Sequence, residues 1–410
     1  MIRRTLQAQV EAAASRYPVI TVTGPRQSGK TTLARMAFPD RPYVSLETPS
    51  EREFVGDDPL GFLTRFPEGA ILDEVQRAPE LLSYLQGIVD EDPAPGRFIL
   101  TGSHNVALME GVSQSLAGRA ALLELLPLEL EEIGRFDRKA DDLDTTLWRG
   151  GYPRIHDRDL PAAQWLADYT ATYLERDVRS LLSVGDLQTF HTFLRMCAGR
   201  VGQLLNLASL AADCGVSQPT ARRWLSTLEA SFIVFRLSPF HANLGKRLAK
   251  RSKLYFHDPG LALSLLGIEE PAQLATHPLR GAMFEGWVVS EVVKWHRHRG
   301  LRPELSFYRE RDRLEVDLVL ERGTELTLVE AKAGRTPHSE QFAAFPALAA
   351  RIDARGDERW QVGRRLVVYG GDESQARSEG ELVSWSDLPE ALGDSRVRHG
   401  RGDPGTARRS

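Results

Sequence analysis

The sequence feature that most constrains the fold is the octapeptide at residues 24–31, Gly-Pro-Arg-Gln-Ser-Gly-Lys-Thr. It matches the pattern G-x-x-x-x-G-K-[ST] at every fixed position. The β-branched run at 19–22 predicts a buried strand ahead of it, and residues 32–36 predict a helix behind it. In that order of elements, backbone N–H groups can surround phosphate oxygens, and the helix adds the positive end of its dipole. The chain is therefore predicted to bind phosphate here. The alternative, a chance glycine-rich turn before an ordinary helix, is disfavoured by this context.

Each residue type in this loop has a role toward a nucleoside triphosphate. Lys30 is expected to reach the β- and γ-phosphates, and the Thr31 hydroxyl is expected to hold Mg²⁺. ATP and magnesium are thus the predicted cofactors. The residues expected to contact the nucleotide are Gly24, Pro25, Arg26, Gln27, Ser28, Gly29, Lys30, Thr31 and Thr32.

Length and composition set the general class of the protein. With 410 residues, 42% of them hydrophobic and 26% charged, the chain is expected to form two or three globular domains. It contains no apolar run of membrane-spanning length, and its first residues lack the apolar core of a signal peptide. The two cysteines, Cys197 and Cys214, have no zinc-type spacing. A cytoplasmic protein without a disulfide framework is the expectation.

A second acidic motif follows about fifty residues after the loop. Residues 69–72 are predicted to form a short apolar strand that leads directly into Asp73 and Glu74. At the carboxyl end of such a strand Asp73 can hold Mg²⁺, directly or through water. Glu74 is placed to orient or deprotonate the attacking water, which is the work of a general base. An acidic turn is the alternative, but the pairing with the loop favours the functional interpretation.

Two further positions are candidates for sensing the γ-phosphate. The predicted strand at 97–103 ends in small polar residues, so Ser103 or His104 could be the sensor; an ordinary strand-to-loop transition is as well supported. Arg119 follows a predicted helix and could act as an arginine finger on a neighbouring subunit's nucleotide. A plain surface arginine is the equal alternative.

Several motifs together resemble one group of bacterial and archaeal ATPases. These are AAA-type proteins whose ATPase domain is followed by a winged helix and a restriction-endonuclease-like domain. The resemblance extends from about residue 15 to about residue 370, and implies architecture more than biological role. The stretches that carry it are Gly24–Thr32, Ile71–Leu81, Thr101–Ser103 and Leu116–Arg119, with Trp148–Pro153 and Tyr173–Val178 resembling the family's helical linking region.

The middle of the chain is basic although the whole chain has a net charge of −4. Between Arg195 and Lys253 there are ten Lys and Arg residues against two acids. This asymmetry indicates an anionic partner. Residues 207–225 read as helix, tight turn at Gly215 and second helix with Ser217 as N-cap, which is helix-turn-helix spacing with 220–229 as the recognition helix. Residues 232–237 and 253–256 are predicted to form a wing.

This winged helix could bind nucleic acid or another protein, and the local charge favours nucleic acid, since Lys and Arg supply most non-specific affinity for phosphates. DNA is therefore the predicted macromolecular partner, without implied sequence-specific readout. The residues expected to contact it are Arg222, Arg223, Lys250 and Arg251.

The C-terminal part carries a third set of charged residues. Glu285 falls on the apolar stripe of a predicted helix, where a carboxylate is costly unless it is paired or functional. Glu291 falls off that stripe and is expected to be solvated.

Strands at 314–320 and 326–332 are predicted to form a hairpin that brings Asp317 near Glu330, with Lys332 on the same strand face as Glu330. Asp, then Glu-x-Lys, with an upstream helical Glu, resembles the restriction-endonuclease core. That resemblance implies Mg²⁺ binding by Glu285, Asp317 and Glu330, with Lys332 activating water. A fold that has lost its activity is the alternative.

The predicted fold class is α/β throughout: a P-loop parallel-sheet domain, a helical and winged-helix middle, and an endonuclease-like α/β domain. The expected boundaries are 1–130 for the ATPase domain, 131–195 for a helical linker or lid, 196–265 for the winged helix, 266–392 for the endonuclease-like domain and 393–410 for a disordered tail. The predicted function is a Mg²⁺-dependent ATPase that engages DNA, as a homo-oligomeric ring or dimer, with a candidate nuclease site. The alternative is a nucleotide-gated switch with slow hydrolysis and a vestigial nuclease domain.

Overall fold

A computed structural model describes residues 1–103, 115–136, 142–174, 187–240, 251–310, 314–354 and 359–393. The chain divides into two compact units, Met1–Pro303 and Glu304–Ser410. Four predictions fall on residues outside the described ones: His104 as a sensor, the motif at 175–178, Lys250 as a DNA contact and the disordered tail. Among the described residues, no helix combines the length and apolar character needed to cross a membrane.

The first unit begins with a five-stranded parallel sheet in the order β2-β3-β4-β1-β5. Every side chain of β1 is buried, because apolar clusters cover both faces of this sheet, as in α/β folds generally. The strands are β1 (Val19–Gly24), β2 (Tyr43–Ser45), β3 (Ala70–Asp73), β4 (Phe98–Ser103) and β5 (Ala120–Glu124).

Short helices connect and flank these strands. The helix that follows β1 starts at Lys30, directly after the glycine-rich loop, and buries Leu33 and Ala34 against the sheet. The parallel α/β domain predicted from the N-terminal motifs is thus present. The helices of this part are α1 (Gln7–Ala14), α2 (Lys30–Ala37), α3 (Pro49–Asp57), α4 (Pro59–Thr64) and α5 (Leu81–Glu91).

Helices predominate among the described residues in the rest of the first unit, where β6 (Val234–Pro239) also pairs antiparallel with β7 (Lys253–Phe256). A π-helical turn spans Thr170–Leu174. The helices are α6 (Leu130–Ile133), α7 (Leu143–Arg149), α8 (Pro153–Asp157), α9 (Ala162–Tyr169), α10 (Leu187–Ala198), α11 (Leu207–Asp213), α12 (Gln218–Ala230), α13 (Pro259–Leu265), α14 (Pro271–Ala275) and α15 (Arg280–His298).

Helices α11 and α12 form where the spacing predicted two helices and a turn. Gly215 has a φ of +66°, and the Ser217 hydroxyl accepts a hydrogen bond from the Thr220 N–H at 3.2 Å, as expected of an N-cap. Trp224 anchors α12 by packing edge-on against Phe190 and Phe193 of α10. The exposed face of α12 is therefore fixed by burial of its opposite face.

The second unit contains a mixed sheet in which the strands of this unit lie in the order β12-β13-β11-β10-β9-β8. The predicted hairpin is present: Gly323, at φ +63°, turns the chain, and Leu318 pairs with Val329. The elements are β8 (Glu304–Arg309), β9 (Glu315–Arg322), β10 (Glu325–Lys332), α16 (Ala344–Ala354), β11 (Gln361–Tyr369), β12 (Gln375–Arg377), β13 (Gly380–Ser384) and α17 (Leu388–Gly393).

Candidate nucleotide-binding site

The glycine-rich loop links the carboxyl end of β1 to the amino end of α2, and its backbone needs glycine at two positions. A Cβ on Gly24 would overlap the carbonyl oxygen of Leu125, which follows β5. Gly29 caps α2 with a φ of +94°, a conformation that side chains disfavour. Gln27 also has a positive φ, of 63°, so the loop contains a strained non-glycine residue, as functional loops often do.

Lys30 lies at the first position of α2 and is 6% exposed. Its ammonium group donates hydrogen bonds to the carbonyl oxygens of Gly24, at 3.0 Å, and Pro25, at 2.8 Å. The charge is thus held beside the loop backbone, where phosphate oxygens are expected.

Thr31 and Asp73, which are both predicted to hold Mg²⁺, lie within hydrogen-bonding distance of each other. The Thr31 hydroxyl is 2.9 Å and 3.1 Å from the two Asp73 carboxylate oxygens. The register of β3 against β4 pairs Leu72 with Leu100, so Asp73 comes beside Thr101, whose hydroxyl also donates to it. These hard oxygen ligands fit Mg²⁺, which binds proteins through one or two oxygen-bearing side chains plus substrate phosphates.

Tyr43 is an additional partner of Asp73 that sequence reasoning missed. Its hydroxyl donates to Asp73 Oδ2 at 2.8 Å. Burial, together with the hydrogen bond to Asp73, raises the pKa of Tyr43 to about 12. The hydroxyl therefore remains a donor at neutral and moderately alkaline pH, and it fixes the orientation of the carboxylate.

Glu74 follows β3 in a left-handed backbone conformation, with φ 57° and ψ 44°. Its carboxylate accepts hydrogen bonds from Ser103 Oγ, at 3.2 Å, and from the Gln76 amide. Gln76 also donates to Ser103 Oγ at 3.0 Å. The structure thus brings the predicted base and the predicted sensor together, and it adds Gln76, for which the only sequence signal is its place two residues after Glu74.

A cavity of about 630 Å³ connects these groups. Gly29, Lys30, Thr31, Asp73 and Glu74 line it. The lining also includes apolar side chains such as Ile2, Leu33 and Met36 and a set of basic side chains, of which the sequence singled out only Arg26. Those basic residues are Arg4, Arg26, Arg154 and Arg158.

The position of Arg154 and Arg158 depends on the glycine pair that precedes α8. Gly150 has a φ of +63°, and a Cβ on it would overlap the Asp258 carboxylate. Asp258 is fully buried, caps α13 by accepting from the Leu261 N–H at 2.8 Å, and accepts from the Gly151 N–H at 2.6 Å. Close packing of these glycines therefore brings the start of α8 to the cavity.

Arg119 lies at the opposite end of the sheet from the loop. It directly precedes β5, whose first residue pairs with Val19 at the start of β1. Its guanidinium binds Asp90, with Nη2 2.9 Å from Oδ2. Arg119 therefore does not reach the nucleotide cavity of its own chain, and its action on a neighbouring subunit stays a prediction.

Glu129, Glu132 and His298 form a buried group whose oxygen and nitrogen atoms could in principle hold a metal ion. The Leu126 N–H donates to His298 Nε2 at 3.2 Å, and His298 Nδ1 lies 3.5 Å from Glu129 and 3.6 Å from Glu132. Arg4 and Arg299 already balance the two carboxylates, at 2.9 Å and 3.0 Å. These ion pairs indicate a polar core and disfavour a metal centre.

The residues predicted to contact DNA lie on exposed surface where they are described. Arg222 and Arg223 are exposed on α12, and Arg251 is exposed ahead of β7. Other basic residues of this segment are neutralised, since Arg200 binds Asp213, Arg236 binds Glu229 and Lys253 binds Glu285. The net positive charge of the segment is thus concentrated at fewer positions than the count of basic residues implied.

The C-terminal acids are found in different environments. In the first unit, Glu285 accepts hydrogen bonds from Lys253 Nζ, at 2.8 Å, and from the Tyr255 hydroxyl, at 2.6 Å. In the second unit, the hairpin sets Asp317 opposite Glu330; Asp317 accepts from the Ala331 N–H at 3.0 Å, and Lys332 Nζ is 2.6 Å from Glu330 Oε2.

The expectation that Glu291 is solvated is wrong. Glu291 is 4% exposed, and its carboxylate accepts from Lys294 Nζ at 3.0 Å and from the Leu130 N–H at 2.7 Å. Burial raises its pKa, and Lys294 opposes that rise. Helix α15 is buried on more than its apolar stripe, so helical periodicity alone assigned this residue to the wrong environment.

Comparison with protein families agrees with this geometry. Residues 16–134 match the family described as an AAA domain, so this part of the chain is a P-loop ATPase-like domain. Residues 140–272 and 280–388 match two families described as domains of unknown function, DUF8612 and DUF4143.

Most of the chain also matches related proteins. It is 34% identical over 376 residues to the uncharacterised protein Rv2008c of Mycobacterium tuberculosis, which covers 90% of this chain and 80% of the relative. The same values hold for Mb2031c of Mycobacterium bovis. The chain therefore belongs to the same family as these mycobacterial proteins. Among solved structures, it is similar to the Walker-type ATPase PABY2304 of Pyrococcus abyssi, with 16% identity, a TM-score of 0.43, and 63% and 94% of the two chains covered.

Proposed function

We propose that the protein is a Mg²⁺-dependent ATPase. The observation that carries this proposal is the convergence of Lys30, Thr31, Asp73 and Glu74 on one cavity at the carboxyl ends of parallel strands, where α/β folds bind ligands. Thr31 and Asp73 would hold Mg²⁺, which supplies neutralisation of phosphate charge when bound.

The proposed reaction is hydrolysis of the terminal phosphate. A water oxygen attacks the γ-phosphorus while the bond from that phosphorus to the β,γ-bridging oxygen breaks. Glu74 accepts a proton from the water, and ADP leaves with the bridging electron pair. Lys30 and the N–H groups at the start of α2 stabilise the negative charge. Ser103 and Gln76 orient the Glu74 carboxylate.

The test is ATP turnover by wild type and by Glu74→Gln, with Glu80→Gln, an exposed glutamate at the start of α5, as the matched control. We expect Glu74→Gln to bind ATP within a few-fold of wild type and to lose about 10²-fold in kcat. Wild-type turnover at background, equal to that of Glu74→Gln with and without DNA, would contradict the proposal.

We further propose that α11, α12 and the β6–β7 pair act as a winged helix that binds DNA, with a protein partner as the alternative. Support comes from Arg222, Arg223 and Arg251, which are exposed, while Arg200 and Arg236 are paired with acids. Arg222→Ala with Arg223→Ala should weaken binding and reduce the slope of log affinity against log salt by about two. Arg236→Ala, which removes a paired arginine, is the control. Unchanged binding in the double variant would favour the protein-contact alternative.

We also propose that the hairpin of the second unit carries a nuclease-type metal site in a restriction-endonuclease-like domain. The register that sets Asp317 opposite Glu330, with Lys332 beside it, supports this proposal. The part played by Glu285 stays a prediction. Plasmid cleavage in Mg²⁺ or Mn²⁺ by wild type, lost in Lys332→Ala and retained in Arg322→Ala, is the expected result. Equal survival of plasmid with wild type and Lys332→Ala would favour the switch with a vestigial nuclease domain.

A further inference from the structure

We propose that Arg4 is a positioning residue of the phosphate-binding loop. Its buried guanidinium holds the Ser28 carbonyl and thereby fixes the direction of the Gly29 N–H that faces the phosphates. This inference rests on the proposed nucleotide binding and extends it to a residue outside the loop and its acidic partners.

Arg4 makes three interactions, one with the loop 24 residues later and two with the segment that follows β5. Its Nη1 donates to the Ser28 carbonyl at 2.7 Å, and its Nη2 donates to the Leu126 carbonyl at 2.8 Å. Its Nε lies 2.9 Å from Glu132 Oε1. Arg4 is 7% exposed and Glu132 is fully buried. Because these donors belong to one planar guanidinium group, Arg4 restricts movement of the loop relative to the segment after β5.

The consequence for the loop follows from peptide geometry. The Ser28 carbonyl and the Gly29 N–H belong to one peptide unit, and in a planar trans unit they point in opposite directions. The described chain has no cis peptide bonds. A guanidinium that fixes the carbonyl therefore fixes the N–H as well. Gly29, in its left-handed conformation, could otherwise rotate this unit at little cost.

The anchor behind Arg4 is itself rigid. Glu132 Oε1 also accepts from the Thr5 N–H at 2.7 Å, and Glu132 Oε2 faces His298 Nδ1 at 3.6 Å. Arg299 neutralises the adjacent Glu129 at 3.0 Å. Arg4 is consequently held from three sides. Neighbouring Arg3, in contrast, is exposed and pairs with Glu11 at 3.2 Å, so it provides a matched control for the same substitution.

The experiment compares Arg4→Lys with Arg3→Lys in the full chain. Lysine keeps the charge but cannot reach both carbonyl groups and Glu132 together. Calorimetric binding of Mg·ATP and of inorganic triphosphate, measured well below the melting temperature, reports the phosphate cradle. We expect Arg4→Lys to weaken both ligands about tenfold, since a charge-assisted hydrogen bond is lost, while Arg3→Lys matches wild type. A purely structural role would lower the melting temperature and leave these affinities unchanged.

Two results would overturn the inference, one measured on Arg4→Lys and one on a double variant. Both can be distinguished from failure of the proposed function. If wild type binds Mg·ATP and Lys30→Ala does not, but Arg4→Lys binds as tightly as Arg3→Lys, only the role of Arg4 is wrong. If wild type does not bind Mg·ATP, the proposed function itself is wrong. Should Arg4→Lys not fold, Arg4→Met with Glu132→Met removes both buried charges together, which proteins often tolerate. That double variant should also bind about tenfold more weakly, and wild-type affinity in it would overturn the inference.

Discussion

Ser103 Oγ donates a hydrogen bond to Glu74 Oε2 across 3.2 Å, joining the carboxyl ends of the neighbouring strands β3 and β4. Gln76 donates to both members of this pair. The carboxylate proposed to activate water is therefore oriented by two neutral donors. An oriented base loses less entropy on reaching the transition state than a mobile one.

Ser103→Ala should lower kcat for ATP hydrolysis by about tenfold and change the Kd for ATP little, because the lost hydrogen bond orients the base without contacting the adenosine or the α-phosphate. Steady-state turnover and calorimetric binding check this expectation. Ser83→Ala, on the exposed face of α5, is the control. An unchanged kcat in Ser103→Ala would show that the hydrogen bond does not serve catalysis.

Tyr43→Phe should raise the Mg²⁺ concentration needed for half-maximal ATP turnover by about tenfold. Removing a hydrogen-bond partner of a metal ligand typically weakens metal binding by about that factor. The Tyr43 hydroxyl lies 2.8 Å from Asp73 Oδ2, and its pKa of about 12 keeps it protonated. The wild-type Mg²⁺ requirement should accordingly be flat between pH 7 and about 10 with respect to this group. Tyr84→Phe, an exposed tyrosine, is the control. Equal Mg²⁺ curves for the two variants would exclude the role.

Glu132 should contribute to loss of stability in acid. Burial opposes its ionisation, but the Arg4 guanidinium and the hydrogen bond from the Thr5 N–H favour the carboxylate, and the pKa of Glu132 is lowered from 4.5 to about 2, beside a Glu129 whose pKa is also lowered. Because the folded-state pKa is depressed, this stabilisation is present above pH 4.5 and is lost as pH falls toward 2. The stabilisation is about 3 kcal/mol.

Urea unfolding at pH 7, 4 and 3 tests this expectation. Glu132→Gln should be less stable than wild type at pH 7 and should lose less stability on acidification. Glu53→Gln, which removes an exposed carboxylate, should follow the wild-type curve. A Glu132→Gln curve parallel to that of wild type would mean that the carboxylate does not supply the pH dependence.

Gly150→Ala should destabilise the protein by about 1–3 kcal/mol, because the added Cβ meets both a positive φ and the Asp258 carboxylate. Gly87→Ala is the matched control: it lies in the middle of α5 with nothing within 4 Å of the added Cβ, so it should stabilise by about 0.5–1 kcal/mol. Thermal unfolding of both variants measures the difference. A stable Gly150→Ala would contradict the close packing described between α7, α8 and α13.

Sequence patterns located the elements that have strong local signals. The β-branched strand before the loop, the two helices around Gly215 and the hairpin around Gly323 all form where periodicity and turn residues placed them. Glu291 shows the limit of such reasoning. Its position off the apolar stripe predicted exposure. In the structure the side chain is buried, and its carboxylate accepts hydrogen bonds from Lys294 and the Leu130 N–H.

The candidate site was predictable only in its motif residues. Tyr43, Gln76 and Thr101 hydrogen-bond to Asp73, Glu74 or Ser103 because neighbouring strands end together. Gln76 and Thr101 lie in stretches that carry the family resemblance, but no pattern along the chain indicates these hydrogen bonds, since tyrosine, glutamine and threonine are common at strand ends. Arg154 and Arg158 reach the cavity through the packing of two glycines on Asp258, a contact across 107 positions.

The octapeptide at residues 24–31 by itself predicted a phosphate-binding loop, because each fixed position meets a requirement of backbone conformation or side-chain chemistry within the loop itself. Tertiary structure alone decided what holds that loop. Arg4 lies 24 positions before Ser28 and 122 before Leu126, yet one guanidinium binds both carbonyl groups. Contacts of this kind depend on how buried charges find partners once the chain is packed, and local sequence does not encode that outcome.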